Sequence, residues 1–430
     1  MSVTYPLDGD VDAHDLLRVL AHRSRRRGLA PPAALVGDWF GASAVIAPAV
    51  RIRAVEPGRA FPPGRAATGP ARHDGPVGGG WIGYLGYGLA DPPPATRRLP
   101  LAACGWADHV LRRDATGQWW FEALAEPDPA LVEELAGLVG HHASRPAPHR
   151  CGDNSRWRCD QWRSPDPDEY RKAVRLAKEE IGAGEIYQAN VCTRFEARFD
   201  GDPVEVFAAG VARQRPRRAA LVSGPWGAVA SLSPELFLAR HGTEVRSAPI
   251  KGTLPRTGPA DAGNAGALRA SVKDVAENVM IVDMTRNDLG RVCRTGTVAV
   301  TQLLDVQPHP GVWHLVSTVV GRLPDGTDDA ALLAATFPPA SVTGAPKHRA
   351  LQVIGAVERA PREVYCGAVG MASPLAGTEL NVAIRTVEFH RDRVWFGVGG
   401  GITADSDPDA EWAECRTKAA PLLALLRSDP

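Results

Sequence analysis

Residues 166–191 read DPDEYRKAVRLAKEEIGAGEIYQANV. Asp166 with Glu169 makes a capping box, Pro167 suits the first helical position, and Tyr170, Val174, Ala177 and Ile181 recur at near-helical spacing. The spacing predicts a helix that ends near Gly182 or Gly184. Glu185 to Val191 then alternates, which predicts a strand with Tyr187, Ala189 and Val191 on one face and Gln188 and Asn190 on the other. Working outward, Ala44–Val50, Ala219–Ser223, Leu236–Arg240, Thr297–Leu304 and Val394–Val398 read as further strands separated by helical stretches. That mixture is the pattern of an α+β enzyme.

Composition narrows the function classes. At 430 residues with 44% hydrophobic and 23% charged, the chain has the make-up of a globular protein able to bury a large core. Lys+Arg 49 against Asp+Glu 49 leaves no net charge, which argues against a general nucleic-acid binder. Two basic clusters, His22–Arg27 and Arg213–Arg218, lack interleaved aromatics and read as solvated surface. No apolar stretch reaches the roughly 18 residues a membrane span needs, and Met1 to Asp15 has neither a basic nor an apolar export region. Seven scattered cysteines suit a reducing compartment, so a soluble cytoplasmic protein is expected.

Ser144 to Asp168 is rich in Pro, Arg, Ser and Asp and reads as a connector. It divides an N-terminal subregion, residues 1–150, from a region at 165–430 where the motifs become dense. His141, His142, His149, Cys151 and Cys159 reproduce no zinc spacing and read as linker. Gly78, Gly80 and Gly83 fit G-x-G-x-x-G, but no strand precedes them, so no dinucleotide site is expected. The Gly-Lys dipeptide of a phosphate-binding loop is absent from the chain.

Candidate chemistry lies in the second region. Pro249-Ile250-Lys251-Gly252-Thr253 sets a lysine beside a glycine, where backbone can approach a ligand; buried against apolar walls such an amine is a nucleophile, and otherwise it is a surface lysine in a turn. Glu277 lies in a helical run, Val275–Asn287. Asp405-Ser406-Asp407-Pro408 opens another helix, on which Glu411, Glu414 and Lys418 share a face. That row suits either a magnesium ion or an ordinary helix salt bridge. Gly399-Gly400-Gly401, after a strand-like run, offers backbone N–H groups to an anion at a helix approach, and Arg385 offers a forked donor for a carboxylate. Together these residues imply a metal-assisted site for a small polyanion.

From about Ser164 to Leu425 the ordered motifs resemble the chorismate-utilising enzymes, the family of anthranilate, aminodeoxychorismate, isochorismate and salicylate synthases. The resemblance is carried by Glu185–Gln188, Ser233–Phe237, Pro249–Thr253, Glu277–Asp283, Arg286–Val292, His314–Ser317, Thr343–Lys347, Asn381–Thr386 and Gly399–Lys418. Gly78–Tyr87 is a weaker echo of the amine-adding members. The resemblance implies two antiparallel sheets in an orthogonal β-sandwich flanked by helices, with the N-terminal half contributing strands to the shared core.

The resemblance also implies roles. Gln188 stands where the water-adding members carry a lysine, and Lys251 stands where anthranilate synthases usually have alanine; both point to amination at C4, giving 4-amino-4-deoxychorismate, the precursor of 4-aminobenzoate. Glu277 and Glu414, with Glu411 beside them, would hold Mg2+ against the chorismate ring carboxylate. Arg385 and the Gly399, Gly400 and Gly401 backbone would hold carboxylate oxygens, with Thr343, Lys418 and Gln188 in the same site. Lys251 would attack C2 in its neutral form, Glu235 would serve as general acid, and His314 would lie close by. No cysteine sits in a Gly-x-Cys-x-Gly elbow, so ammonia is expected from a separate glutamine amidotransferase subunit. Phe337–Ser341 and Met371 depart from the family pattern in pocket detail. Leu35–Trp39 lacks the serine-containing tryptophan-binding motif, so no tryptophan inhibition is expected. Two other readings stand beside amination at C4: an anthranilate synthase component I, and a non-catalytic scaffold for a glutaminase.

Overall fold

The computed structural model describes residues 2–61, 75–90, 97–140, 157–256 and 258–427. The Asp166 carboxylate accepts a hydrogen bond from the Asp168 N–H, and the helix it caps runs Pro167–Gly182, as the spacing predicts. The strand after it begins later than the alternation suggests, at Gln188, and extends to Gly201. Tyr187 is in the approach to that strand and is 71% exposed, so it does not share the buried face of Ala189 and Val191.

Among the described residues two antiparallel sheets, of twelve and ten strands, form the centre. The chain halves interleave in both. Ala33–Trp39 pairs with Arg218–Gly224 in the larger sheet, and Gly80–Leu85 pairs with Ala368–Ser373 in the smaller. The glycine-rich segment is therefore a strand in mid-sheet. Part of the expected connector is also a strand: Trp157–Arg163 lies against Glu196–Gly201. Only one of its seven residues is buried, so its composition is that of surface while its backbone is that of a ladder. His141, His142, His149, Cys151 and the remainder of the connector, up to residue 156, lie outside the described residues; Cys159 is a half-buried free thiol on this strand.

Alternation sorts the larger sheet into two faces, both covered. Leu35, Ala220, Val222, Val229 and Trp395 face the smaller sheet and pack on Tyr84, Val369 and Met371. Their neighbours Ala34, Ala219, Leu221, Ala230 and Phe396 face outward under the helices Ala13–Arg27, Pro167–Gly182, Pro203–Gln214 and Pro408–Leu426. Burial on both faces explains why these strands read as short apolar runs. The smaller sheet is covered on its other side by Val282 and Leu289 of the helix Val272–Gly290.

The basic clusters are largely neutralised by neighbours. Arg23 and Arg27 pair with Glu134, Arg25 with Asp202, and Arg217 with Asp38. Arg218 departs from the expected solvated surface: it is buried against Glu379, whose carboxyl, disfavoured by burial, is nonetheless held at about 2 chiefly by that guanidinium. No helix among the described residues is long and apolar enough to cross a membrane.

The architecture assigns Leu221 to the layer between sheet and helices. Replacing it with alanine is expected to cost about 2–5 kcal/mol of unfolding free energy, read by urea denaturation. A loss under about 1 kcal/mol would contradict this packing.

Candidate functional site

Lys251 lies on the strand Ile250–Arg256, which pairs with Gly311–Arg322 so that Thr253 stands opposite His314. The register slips between Ile250 and Thr253, and Gly252 takes φ +83°. A Cβ there would stand 2.8 Å from Leu268 Cδ1 and 3.0 Å from Asp274 Cγ, so glycine suits this position both for φ and for space. The kink brings Lys251 to the helix Val272–Gly290, capped by Ser271, whose hydroxyl accepts from the Asp274 N–H. Glu277 is on its buried side, and Lys251 Nζ lies 3.6 Å from Glu277 Oε2. Burial raises the Glu277 carboxyl, against the opposing charges of Lys251 and Lys273.

The helix Pro408–Leu426 supplies the other carboxylates. Asp407 caps it, accepting from the Asp409 and Ala410 N–H groups, with Pro408 at the first position, as expected. Glu411 is buried and Glu414 half exposed. Lys418 Nζ lies 2.7 Å from Glu414 Oε1 and donates to the Gly399 carbonyl at 3.0 Å. Burial works against the Glu414 charge, but Lys418 and Lys273 outweigh it and hold the carboxyl below its usual range.

The three glycines are not in a helix approach. Gly399, Gly400 and Gly401 belong to the strand Arg393–Ile402 and pair with Cys192, Val191 and Asn190. The apolar run simply continues through them, because other groups occupy the space their side chains would fill. A Cβ on Gly400 would stand 2.9 Å from Glu411 Oε2. One on Gly401 would overlap the Gln188 amide nitrogen and stand 3.2 Å from Glu277 Oε2. Gln188, Glu277 and Glu411 thus meet on bare backbone. Gln188 is buried with neither amide atom hydrogen-bonded to a described residue, the mark of a group kept for a ligand.

Glu235 precedes the strand Leu236–His241 and is buried; its N–H donates to Ser233 Oγ. Burial pushes its carboxyl up to about 7, partly offset by the charges of Lys251 and Arg385. Arg385 sits between the strands Gly377–Val382 and Thr386–His390 at φ +48°. Its guanidinium has no hydrogen bond or ion pair to a described residue. His314 is buried with Nδ1 2.9 Å from Thr253 Oγ1. Burial and then the Arg385 charge lower it to about 3, so its imidazole is neutral. Thr343 is placed differently. Its hydroxyl engages the Pro339 and Ala340 carbonyls, and its own carbonyl accepts from the Asn190 N–H at 2.6 Å, so it holds the strand that carries Gln188.

Three residues escaped the sequence reading. Lys273 lies 3.1 Å from Glu411 Oε1 and 3.8 Å from Glu414 Oε2; its position four before Glu277 on one helix was the available signal. Ser406 donates to Glu411 Oε1 at 2.7 Å. His309 lies beside His314 with ring centroids 4.9 Å apart and the rings tilted by 57°, and only strand pairing reveals it.

Among the described residues no group of three or more His, Cys, Asp or Glu side chains is gathered as a ready metal cluster. Glu277, Glu411 and Glu414 are interleaved with Lys251, Lys273 and Lys418 instead. The donors are nonetheless all hard oxygens, and Glu411 Oε2 is buried without a described partner, a set that suits magnesium. The site therefore combines an amine beside a carboxylate, a carboxyl poised near neutral pH, and an amide and a guanidinium with no partner among the described residues. Such an arrangement can seize a small polyanion and protonate a leaving group on it.

The aminodeoxychorismate synthase component 1 of Salmonella typhimurium is 36% identical over 364 residues, 83% of this chain and 78% of that protein. The Klebsiella aerogenes protein of the same name is 40% identical over 367 residues, with 82% and 78% covered. The anthranilate synthase component I of Streptococcus pneumoniae superposes with a TM-score of 0.70 at 27% identity, covering 82% of this chain and 81% of its own. The menaquinone-specific isochorismate synthase of Escherichia coli shares the fold, with a TM-score of 0.71, 20% identity and coverage of 99% and 94%. The pattern of the chorismate binding enzymes matches residues 48–424, and with that span and these relatives the chain belongs to the chorismate binding enzyme family.

Proposed function

We propose that this protein aminates chorismate at C4 with ammonia, giving 4-amino-4-deoxychorismate. The observation that carries the reading is Lys251, largely covered and 3.6 Å from Glu277, in a site that also holds the unpartnered Gln188 amide. The names of the relatives support it, and "component 1" supports a partner component, here a glutamine amidotransferase that supplies the ammonia. The six described cysteines, all free, suit work in the cytoplasm.

Arg385, unpaired among the described residues, binds one substrate carboxylate. Lys251, in its neutral form, attacks C2 of the ring; both ring double bonds shift, the C4–O bond breaks, and Glu235 gives its proton to the departing hydroxyl, which leaves as water. Ammonia then forms the C4–N bond, both double bonds shift back, and the C2–N bond to Lys251 breaks. The extra ammonia proton restores Glu235, so the sum is chorismate plus ammonia to product plus water. Dividing one displacement into two lowers each barrier. Glu277, Glu411 and Glu414 would hold Mg2+, which supplies neutralisation of the ring carboxylate. His314, kept neutral by burial and Arg385, donates or accepts without adding charge.

The purified chain with chorismate, Mg2+ and an ammonium salt is expected to form 4-amino-4-deoxychorismate, identified by mass and by lyase-dependent 4-aminobenzoate. Anthranilate as the product would overturn amination at C4, and no turnover would favour the scaffold. Lys251→Ala should lower the rate by roughly three orders of magnitude or more. Because Glu235 must be protonated to act as an acid, kcat/KM should be full below pH 7 and fall as pH rises through about 7; Glu235→Gln should remove that limb. A limb unchanged in Glu235→Gln assigns the acid elsewhere. Gly401→Ala, which displaces the Gln188 amide, should reduce kcat/KM by about 10²-fold with little loss of stability.

A further inference from the structure

Lys273 is the second residue of the helix Val272–Gly290, where a cation faces the positive end of the helix dipole. Its place is explained by what it touches rather than by the helix it belongs to. Nζ lies 3.1 Å from Glu411 Oε1 and 3.8 Å from Glu414 Oε2, and its charge also bears on Glu277. The tethered ammonium therefore bears on all three carboxylates of the site.

Charge counting shows what this does. Glu277, Glu411 and Glu414 face Lys251, Lys273 and Lys418, three negative against three positive groups. A divalent cation entering this set adds two positive charges, which favours the withdrawal of an ammonium. Lys251 is largely covered beside Glu277, and Lys418 is anchored twice, on Glu414 and on the Gly399 carbonyl. Lys273 is 50% exposed, and its hydrogen bond to a described residue is to Glu411 alone, so its long stem can carry the charge into water. Glu411 cannot follow it, being 2% exposed with Oε1 held by Ser406 and Oε2 buried without a described partner.

We propose that Lys273 is a displaceable counter-ion: it neutralises Glu411 and Glu414 in the metal-free protein and competes with the divalent cation for them. The inference rests on the magnesium reading above. Removing the ammonium leaves the carboxylates mutually repelling and more receptive to a metal. Restoring a cation with arginine keeps the competition.

Isothermal titration of Mg2+ into the full chain tests this in the wild type, Lys273→Met and Lys273→Arg. Lys273→Met is expected to bind about tenfold more tightly than the wild type, with Lys273→Arg close to the wild type. Equal or weaker binding by Lys273→Met overturns the competition and leaves the magnesium reading standing. Binding by neither overturns the magnesium reading and the inference with it. Thermal unfolding gives a second readout: in chelator, Lys273→Met should melt below the wild type, and Mg2+ should raise its Tm by more than it raises that of the wild type. Equal Mg2+-induced shifts in the two proteins overturn the inference.

Discussion

Three consecutive residues without side chains are the constraint on which the site depends. Gly399, Gly400 and Gly401 pair with Cys192, Val191 and Asn190, and in doing so lock the strand that carries Gln188 to the strand that leads into the helix of Glu411 and Glu414. Any Cβ on Gly400 or Gly401 would occupy the place of a Glu411 oxygen or the Gln188 amide. The backbone there acts as a floor against which the helices Val272–Gly290 and Pro408–Leu426 set their carboxylates. Without that bare floor, two helices far apart in sequence would have no common surface on which to bring their charges together.

Bringing like charges together in a partly buried place is unfavourable unless each is answered. The protein answers with lysines drawn from three elements: Lys251 from a kinked strand, Lys273 from the start of one helix, and Lys418 from a second. The pairing also sets protonation. Glu414, bracketed by Lys418 and Lys273, stays ionised, whereas at Glu235 burial outweighs the opposing effects of the Ser341 hydroxyl and the Lys251 charge, and its carboxyl rises to about 7. Two carboxylates that both feel the charge of Lys251 thereby differ in protonation at neutral pH, one suited to holding a cation and the other to giving up a proton.

Much of this was legible in the sequence, for physical reasons that differ by residue. The helix at Pro167–Gly182 and the capped helix at Pro408–Leu426 announce themselves because caps and periodicity are local signals. The row Glu411, Glu414, Lys418 follows from helical spacing alone, although spacing did not distinguish a metal site from a salt bridge, and the structure contains the salt bridge explicitly. Gly399–Gly401 reads in sequence as the approach to a helix because glycine is a local turn signal, while its reason for being in the strand is a set of side chains from distant elements. Trp157–Arg163 was hidden by its polar composition, which reflects exposure and not backbone pairing. His309 was invisible for the same reason in reverse: only the pairing of its strand with Gly311–Arg322 sets its ring against His314.

Arg385 shows why such a site must stand ready at some cost to the fold. Its backbone occupies positive φ, which a β-carbon disfavours, and its guanidinium has five donors with no described acceptor. Burial disfavours its charge, and Glu235 opposes that shift across the site rather than by contact. The two nearby histidines, at about 3 and about 4, offer no counter-charge and remain neutral because of burial and the surrounding guanidinium groups. A carboxylate brought by a substrate is the group that resolves this imbalance: it pairs the guanidinium, accepts its donors and lowers the local potential in one step. On the proposed function, the unmet demand of Arg385 in the free protein would be the source of affinity for the anionic substrate. Glu235, whose carboxyl burial pushes up to about 7, lies within the field of that guanidinium but forms no ion pair with it, so it keeps a proton that a direct pair would strip away.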